Sequence, residues 1–179
     1  MPRKIPRFLS KEEMKALMDV AKKDSPRNYM TLRMLCFLGL RNSEIRKLTV
    51  EDVDLMKQQV FVSQGKGKKD RIVAVPGMKP FLEELDKWTA ENDKFFDLSA
   101  RQLQRIVKAY AVKAGIRRPL EIHPHTLRHS YATYLQDKTD NILFVKEQMG
   151  HSKVATTEIY VHMAMEARKK KTDQAFSDW

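Results

Sequence analysis

An amphipathic run over residues 11–23 predicts a first helix, with Ser10 as its N-cap and Glu13 at the third helical position completing a capping box. Pro26 is suited to open a second helix through Leu40, and Gly39 near its end predicts a break before a short helix from Asn42. Period-two alternation then takes over in Gln59-Val60-Phe61-Val62-Ser63, and again in Arg71-Ile72-Val73-Ala74-Val75. Between them lies Gly65-Lys66-Gly67-Lys68-Lys69-Asp70, a glycine-containing turn that predicts a β-hairpin with a basic tip. From Met78 onward the signals are helical, over residues 78–89, 99–114, 124–136, 142–149 and 154–163, with a further helix from Ala164 towards the end. Gly115 and Gly150 sit where helix C-terminal glycines belong. The fold class read from this pattern is mainly α with a small antiparallel β-sheet (α+β). No repeat, low-complexity tract or Pro/Gly/Ser-rich linker divides the chain, so one domain is expected.

Composition adds a partner to that scaffold. The 179 residues are 42% apolar and 32% charged, as in a globular protein, and 34 basic residues outweigh 23 acidic ones to give a net charge of +11. Such an excess calls for a polyanion, because a basic face neutralises backbone phosphates and releases their counterions. Cys36 is the only cysteine, so no intrachain disulfide can form, and within Leu35-Cys36-Phe37-Leu38 it reads as a small buried hydrophobe. The longest apolar stretch, residues 29–40, is too short to span a bilayer and contains Arg33; no signal-peptide pattern opens the chain. A cytoplasmic location without membrane association is the expectation.

Four segments could carry chemistry. Arg41, just after an apolar helix and three residues before Glu44, could be a phosphate clamp held by that carboxylate, although an ordinary i,i+3 ion pair has the same spacing. Lys66, flanked by glycines, could reach a phosphate or a leaving oxygen, or be merely a charged hairpin tip. In His123-Pro124-His125-Thr126-Leu127-Arg128-His129, a helix opened by Pro124 would place His125 and Arg128 one turn apart on one face. His125 and His129 also stand four apart, as zinc ligands can. Thr126 occupies the position where a hydrolytic zinc helix needs glutamate, and no cysteine lies nearby, so no metal is expected. His123 and His129 read as a solvated residue and a core or capping residue. Finally Gly150-His151 is followed nine residues after the histidine by Tyr160, whose phenol titrates near 10 and would need surrounding positive charge to act as a nucleophile.

Taken together, these boxes resemble the tyrosine recombinase (phage integrase) family, most closely its Xer-type branch. The family's ordered signature is a G-L-R-x-x-E box, a G-K-G hairpin, an H-x-L-R-H box, a G-H box and a tyrosine about nine residues later. All five occur here in order: Gly39-Leu40-Arg41 with Glu44, Gly65-Lys66-Gly67, His125 to His129, Gly150-His151 and Tyr160. No single box is specific; the ordered set is.

The resemblance implies a tyrosine recombinase catalytic-domain fold over essentially the whole chain, without the N-terminal core-binding domain that such recombinases normally carry. It also implies attack by Tyr160 on a scissile phosphate, giving a 3′-phosphotyrosine and a free 5′-hydroxyl. Arg41 and Arg128 would clamp the non-bridging oxygens, Lys66 would protonate the departing oxygen, His125 would accept the tyrosine proton and His151 would donate a hydrogen bond. No cofactor is needed, because the phosphodiester energy is kept in the phosphotyrosine. The implied partners are double-stranded DNA and other recombinase protomers in a tetrameric synapse. Residues 164–179, with Phe176 and Trp179 as apolar anchors, are a candidate for packing on a neighbour. Lys68, Lys69 and Arg71 are expected on the DNA backbone, and the basic run 168–171 could join them or simply solvate a helix. Three other readings have distinct requirements. Type IB topoisomerase chemistry would relax one duplex rather than exchange two. A non-catalytic DNA-binding accessory factor would have no use for the full set of boxes. A two-metal nuclease would need clustered carboxylates, for which Glu51, Asp52 and Asp54 are the nearest approach and look like a solvated turn.

Overall fold

The computed structural model describes residues 7–63, 70–92 and 94–150. In chain order they form α1 (Lys11–Asp24), α2 (Pro26–Leu38), α3 (Asn42–Ile45), β1 (Val53–Asp54), β2 (Gln59–Val62), β3 (Arg71–Ala74), α4 (Lys79–Glu91), α5 (Ala100–Lys113), α6 (Pro124–Thr139) and α7 (Ile142–Met149). Short 3₁₀ turns lie at Val50–Asp52 and Pro119–Glu121. The expected helices over 154–163 and from Ala164 fall outside the described residues.

Helix α2 is the centre of the fold because its buried residues do not keep to one face. Met30, Leu32, Met34, Leu35, Cys36 and Leu38 are all buried, and so are Thr31 and Arg33. A helix apolar on most sides must be covered on most sides, and α1 and α6 pack against it. Arg33 is tolerated inside because its guanidinium lies 4.5 Å over the Phe81 ring and pairs with Glu84. Burial pushes the Cys36 thiol up to about 12, so it behaves as the expected small hydrophobe. Among the described residues no helix is long and apolar enough to cross a membrane.

Local signals place the helix starts. The Ser10 and Glu13 capping box is formed, and Ser25, Ser99 and Asn141 cap α2, α5 and α7 through their side chains. Helix α2 stops at Leu38 and Gly39 turns left-handed, with φ +58°. A Cβ there would lie 2.3 Å from the Tyr131 ring, so the expected break is fixed by packing as well as by backbone conformation. Helices α4 and α6 run two and three residues past their expected ends, to Glu91 and Thr139. The added residues, Ala90-Glu91 and Asp137-Lys138-Thr139, are small or polar, and a hydrophobic period carries no signal there.

The expected hairpin pairs Val60 with Val73 and Phe61 with Ile72, so Val60, Val62 and Val73 face the core while Phe61 and Ile72 face outward. The sheet has a third strand that the pattern did not predict. β1 pairs antiparallel with β2 through Val53 and Val60, and two residues are too few to show alternation. Asp54 therefore belongs to a strand rather than to the solvated turn expected of it. Helix α7 lies against β3, where the Gln148 side-chain oxygen accepts from the Ala74 amide at 3.1 Å. That contact brings the end of α7 to the mouth of α3 and the start of β3.

Candidate active site

Glu44 is the node around which the site is built. Its carboxylate is buried, with 5% of the side chain exposed. Arg41 Nη1 donates to Oε1 at 2.6 Å and the Arg41 amide donates to Oε2 at 2.7 Å, closing the first turn of α3 on itself. Arg71 grips the same carboxylate with both terminal nitrogens, Nη1 to Oε1 at 2.7 Å and Nη2 to Oε2 at 3.0 Å. Arg128 Nη1 stands 3.8 Å from Oε2. Burial by itself pushes the Glu44 carboxyl up, but the Arg71 hydrogen bonds, the Arg41 amide and the two nearby positive charges outweigh it and bring it down to about 2.

The same three arginines close the end of α7. The last carbonyls of a helix have no partner within it and lie at the negative end of its dipole. Here Gln148 O accepts from Arg71 Nε at 3.1 Å, Met149 O from Arg128 Nη2 at 2.5 Å, and Gly150 O from Arg41 Nη2 at 2.7 Å. Arg128 Nη1 also donates to Gly39 O at 2.5 Å, which ties the turn after α2 to the same cluster. Gly150 adopts φ +61°, and a Cβ on it would lie 2.7 Å from Arg71 Cδ. The glycines of the G-L-R and G-H boxes are thus required by how closely neighbouring side chains approach them.

On its outer side this cluster opens into a cleft of about 580 Å³. Arg41, Arg128 and His125 line it together, with Asn42, Ser43, Arg46, Gln104 and His123 around them. Arg41 keeps a third of its side chain exposed, whereas Arg128 lies at the floor with 2% exposed. His125 is at the surface one helical turn from Arg128, as expected. Its ring meets that of His129 edge to face, with centroids 4.2 Å apart. Desolvation first, then the charges of Arg128 and Arg41, lower the His125 pKa, so its ring is neutral at neutral pH. Burial, then His125 and Arg128, take His129 down to about 4. A site of this kind offers fixed guanidinium charge beside a neutral imidazole able to take up a proton.

The structure corrects one expectation and extends others. Arg71 does not lie on the outside for a DNA backbone: 8% of its side chain is exposed and its guanidinium is committed to Glu44 and Gln148 O. A basic residue beside a basic turn looks solvated in a linear sequence, and no local pattern announces a carboxylate 27 residues away as its partner. Asn42, Ser43, Arg46 and Gln104 in the cleft were also not singled out; the one available signal was that three of them adjoin the Arg41 box. His123 is the N-cap residue of α6 at the cleft edge, and His129 is half-buried beneath His125. Lys66, Lys68, Lys69, His151 and Tyr160 lie outside the described residues.

This arrangement of boxes and fold has a family. Residues 7–167 match the model of the phage integrase family, and the chain belongs to that family. A tyrosine recombinase of Pseudothermotoga lettingae is 39% identical over 170 residues, which cover 90% of this chain and 58% of that protein. The crystal structure of XerA recombinase superposes with a TM-score of 0.80 at 31% identity, covering 96% of this chain and 66% of that one. The XerH site-specific recombinase bound to palindromic difH substrate, a post-cleavage complex, gives 0.79 at 28% identity over 98% of this chain and 54% of the other. The chain spans about three-fifths of the length of the curated relatives it matches.

Proposed function

We propose that this chain cleaves and rejoins DNA strands as a site-specific recombinase, through a 3′-phosphotyrosine at Tyr160. The observation that carries the reading is the cleft in which Arg41 and Arg128, held by Glu44 and by the carbonyls at the end of α7, stand beside a neutral His125. A family relative caught on its DNA substrate after cleavage supports the same chemistry and the same partner. The net charge of +11 suits a polyanionic duplex.

In this mechanism the Tyr160 oxygen forms a bond to phosphorus while the bond to the 5′-oxygen breaks. His125 receives the phenolic proton and Lys66 gives one to the departing oxygen, so the attacking oxygen carries no proton into the new ester and the strand leaves as a neutral 5′-hydroxyl. Charge accumulates on the non-bridging oxygens as phosphorus becomes pentavalent. There Arg41 and Arg128 stabilise it with guanidinium charge that the cluster already holds at the cleft. His151 adds a hydrogen bond to the same phosphate. Reversal, with another 5′-hydroxyl attacking, rejoins the strand. Lys68 and Lys69 hold the DNA backbone. Other copies of the chain assemble on the DNA, and the apolar groove of about 600 Å³ between α1, α2, α6, α7 and the end of β3, lined among others by Phe37, Tyr131 and Phe144, suits residues 164–179 of a neighbour, with Phe176 and Trp179 as anchors. The site of action is the cytoplasm.

The test is incubation with a pool of nicked suicide duplexes, with adducts identified by mass. The expected product is protein plus one strand, formed equally well in chelator and absent with Tyr160→Phe. An adduct retained by Tyr160→Phe rules out the nucleophile, and loss of the adduct in chelator rules out the metal-free chemistry.

A further inference from the structure

Arg71 is the one member of the three-arginine cluster that does not line the cleft, yet its guanidinium holds both oxygens of Glu44, one with each terminal nitrogen. Its side chain is 8% exposed, against 33% for Arg41. It does not line the cleft, and its Nε, Nη1 and Nη2 each donate to Gln148 O or Glu44. A buried arginine in this position has another use. One carboxylate among three guanidiniums leaves the cluster with two net positive charges. If Arg71 were neutral, Glu44 would cancel most of what Arg41 offers, and its Oε2 would turn to Arg128, which stands only 3.8 Å away.

We propose that Arg71 is a positioning residue for phosphoryl transfer: by gripping Glu44 from behind and Gln148 O from the side, it keeps the charge of Arg41 and Arg128 available to the phosphate. The inference rests on the reading of the reaction given above. It assigns Arg71 no contact with DNA and no contact with the reacting atoms. Its bidentate geometry matters as well as its charge, since the two terminal nitrogens occupy one oxygen each while the Nε donates to a carbonyl at a helix end. A lysine could supply the charge but only a single point of contact.

The experiment compares the wild-type chain, Arg71→Met and Arg71→Lys in two assays. Single-turnover adduct formation on the nicked duplex pool reads the chemical step, and anisotropy binding to duplex DNA across a salt series counts phosphate contacts. For Arg71→Met we expect adduct formation slowed by about 10²-fold, the scale of a lost oxyanion donor. Duplex affinity and salt slope should match the wild type. Arg71→Lys should fall between the two, a partial rescue that a purely steric role would not give. A wild-type cleavage rate in Arg71→Met overturns the proposal, as does a salt slope smaller by about one, which marks a lost phosphate contact. If Arg71→Met does not fold, Arg71→Lys decides alone: slowed cleavage at an unchanged slope upholds the proposal, and a wild-type rate or a reduced slope overturns it. If the wild-type chain forms no adduct, the reading of the reaction fails by itself. The Arg71 assignment is then decided by carbon-13 titration of the Glu44 carboxyl, whose midpoint rises in either Arg71 variant if Arg71 is its counter-cation and stays in place if it is not.

Discussion

Substituting Gly150 by alanine isolates the cost of the close approach at the end of α7. Two terms contribute. A left-handed backbone at a residue with a Cβ costs about 1–2 kcal/mol. The added carbon would also lie 2.7 Å from Arg71 Cδ and 3.0 Å from its Nε and Nη1. A free arginine would swing away, but this one is held by two bonds to Glu44 and one to Gln148 O. Yielding would weaken hydrogen bonds to a charged group, so overpacking of about 1–3 kcal/mol is the relevant scale. Gly150→Ala should therefore lose about 2–5 kcal/mol. Gly115 supplies the control: it has φ +66°, and nothing lies within 4 Å of its added carbon. Gly115→Ala should lose only the backbone term, about 1–2 kcal/mol, less a small gain from stiffening the unfolded chain. Urea unfolding of both variants at neutral pH, with m compared, measures the difference directly. Equal losses for the two variants would show that Arg71 moves aside freely, and the rigid cluster described above would be refuted.

Other consequences follow from the same site. Arg41→Ala and Arg128→Ala should each reduce adduct formation by about 10²-fold or more, and near-normal cleavage by either removes that arginine from the chemistry. Glu44 sits near 2 in the folded chain against an ordinary 4.5, so its stabilisation, about 3 kcal/mol, is present above pH 4.5 and lost as pH falls towards 2. The stability gap between wild type and Glu44→Gln should accordingly shrink between pH 5 and pH 3 in urea titrations; a constant gap contradicts the depressed carboxyl. His129, lowered to about 4, should remain neutral at pH 5.5 in an NMR titration, and the folded state should lose stability as pH drops from 6.5 towards 4, because only the unfolded chain takes up that proton. A midpoint above 6 would mean the ring is solvated.

Much of the fold was written in local chemistry. The cap at Ser10, the Pro26 and Pro124 starts and the Gly39 break depend on residues within a few positions of one another, and period-two alternation marks the two hairpin strands, so a linear reading reaches them. The pairing of Arg41 with Glu44 and the spacing of His125 and Arg128 were legible for the same reason, being set by one helical turn. The two-residue strand β1 was not, because its pairing rather than its pattern defines it.

What only the tertiary structure decided is which cation answers which anion. Arg71, Glu44 and the carbonyls of Gln148, Met149 and Gly150 come from three distant elements, and they meet because α7 packs on β3. A charge in a sequence carries no record of its burial. Arg71 therefore resembled a surface lysine's neighbour until folding placed it where water cannot replace its partner. Long-range electrostatics is fixed by packing; the sequence by itself fixes the short-range turns that make the packing possible.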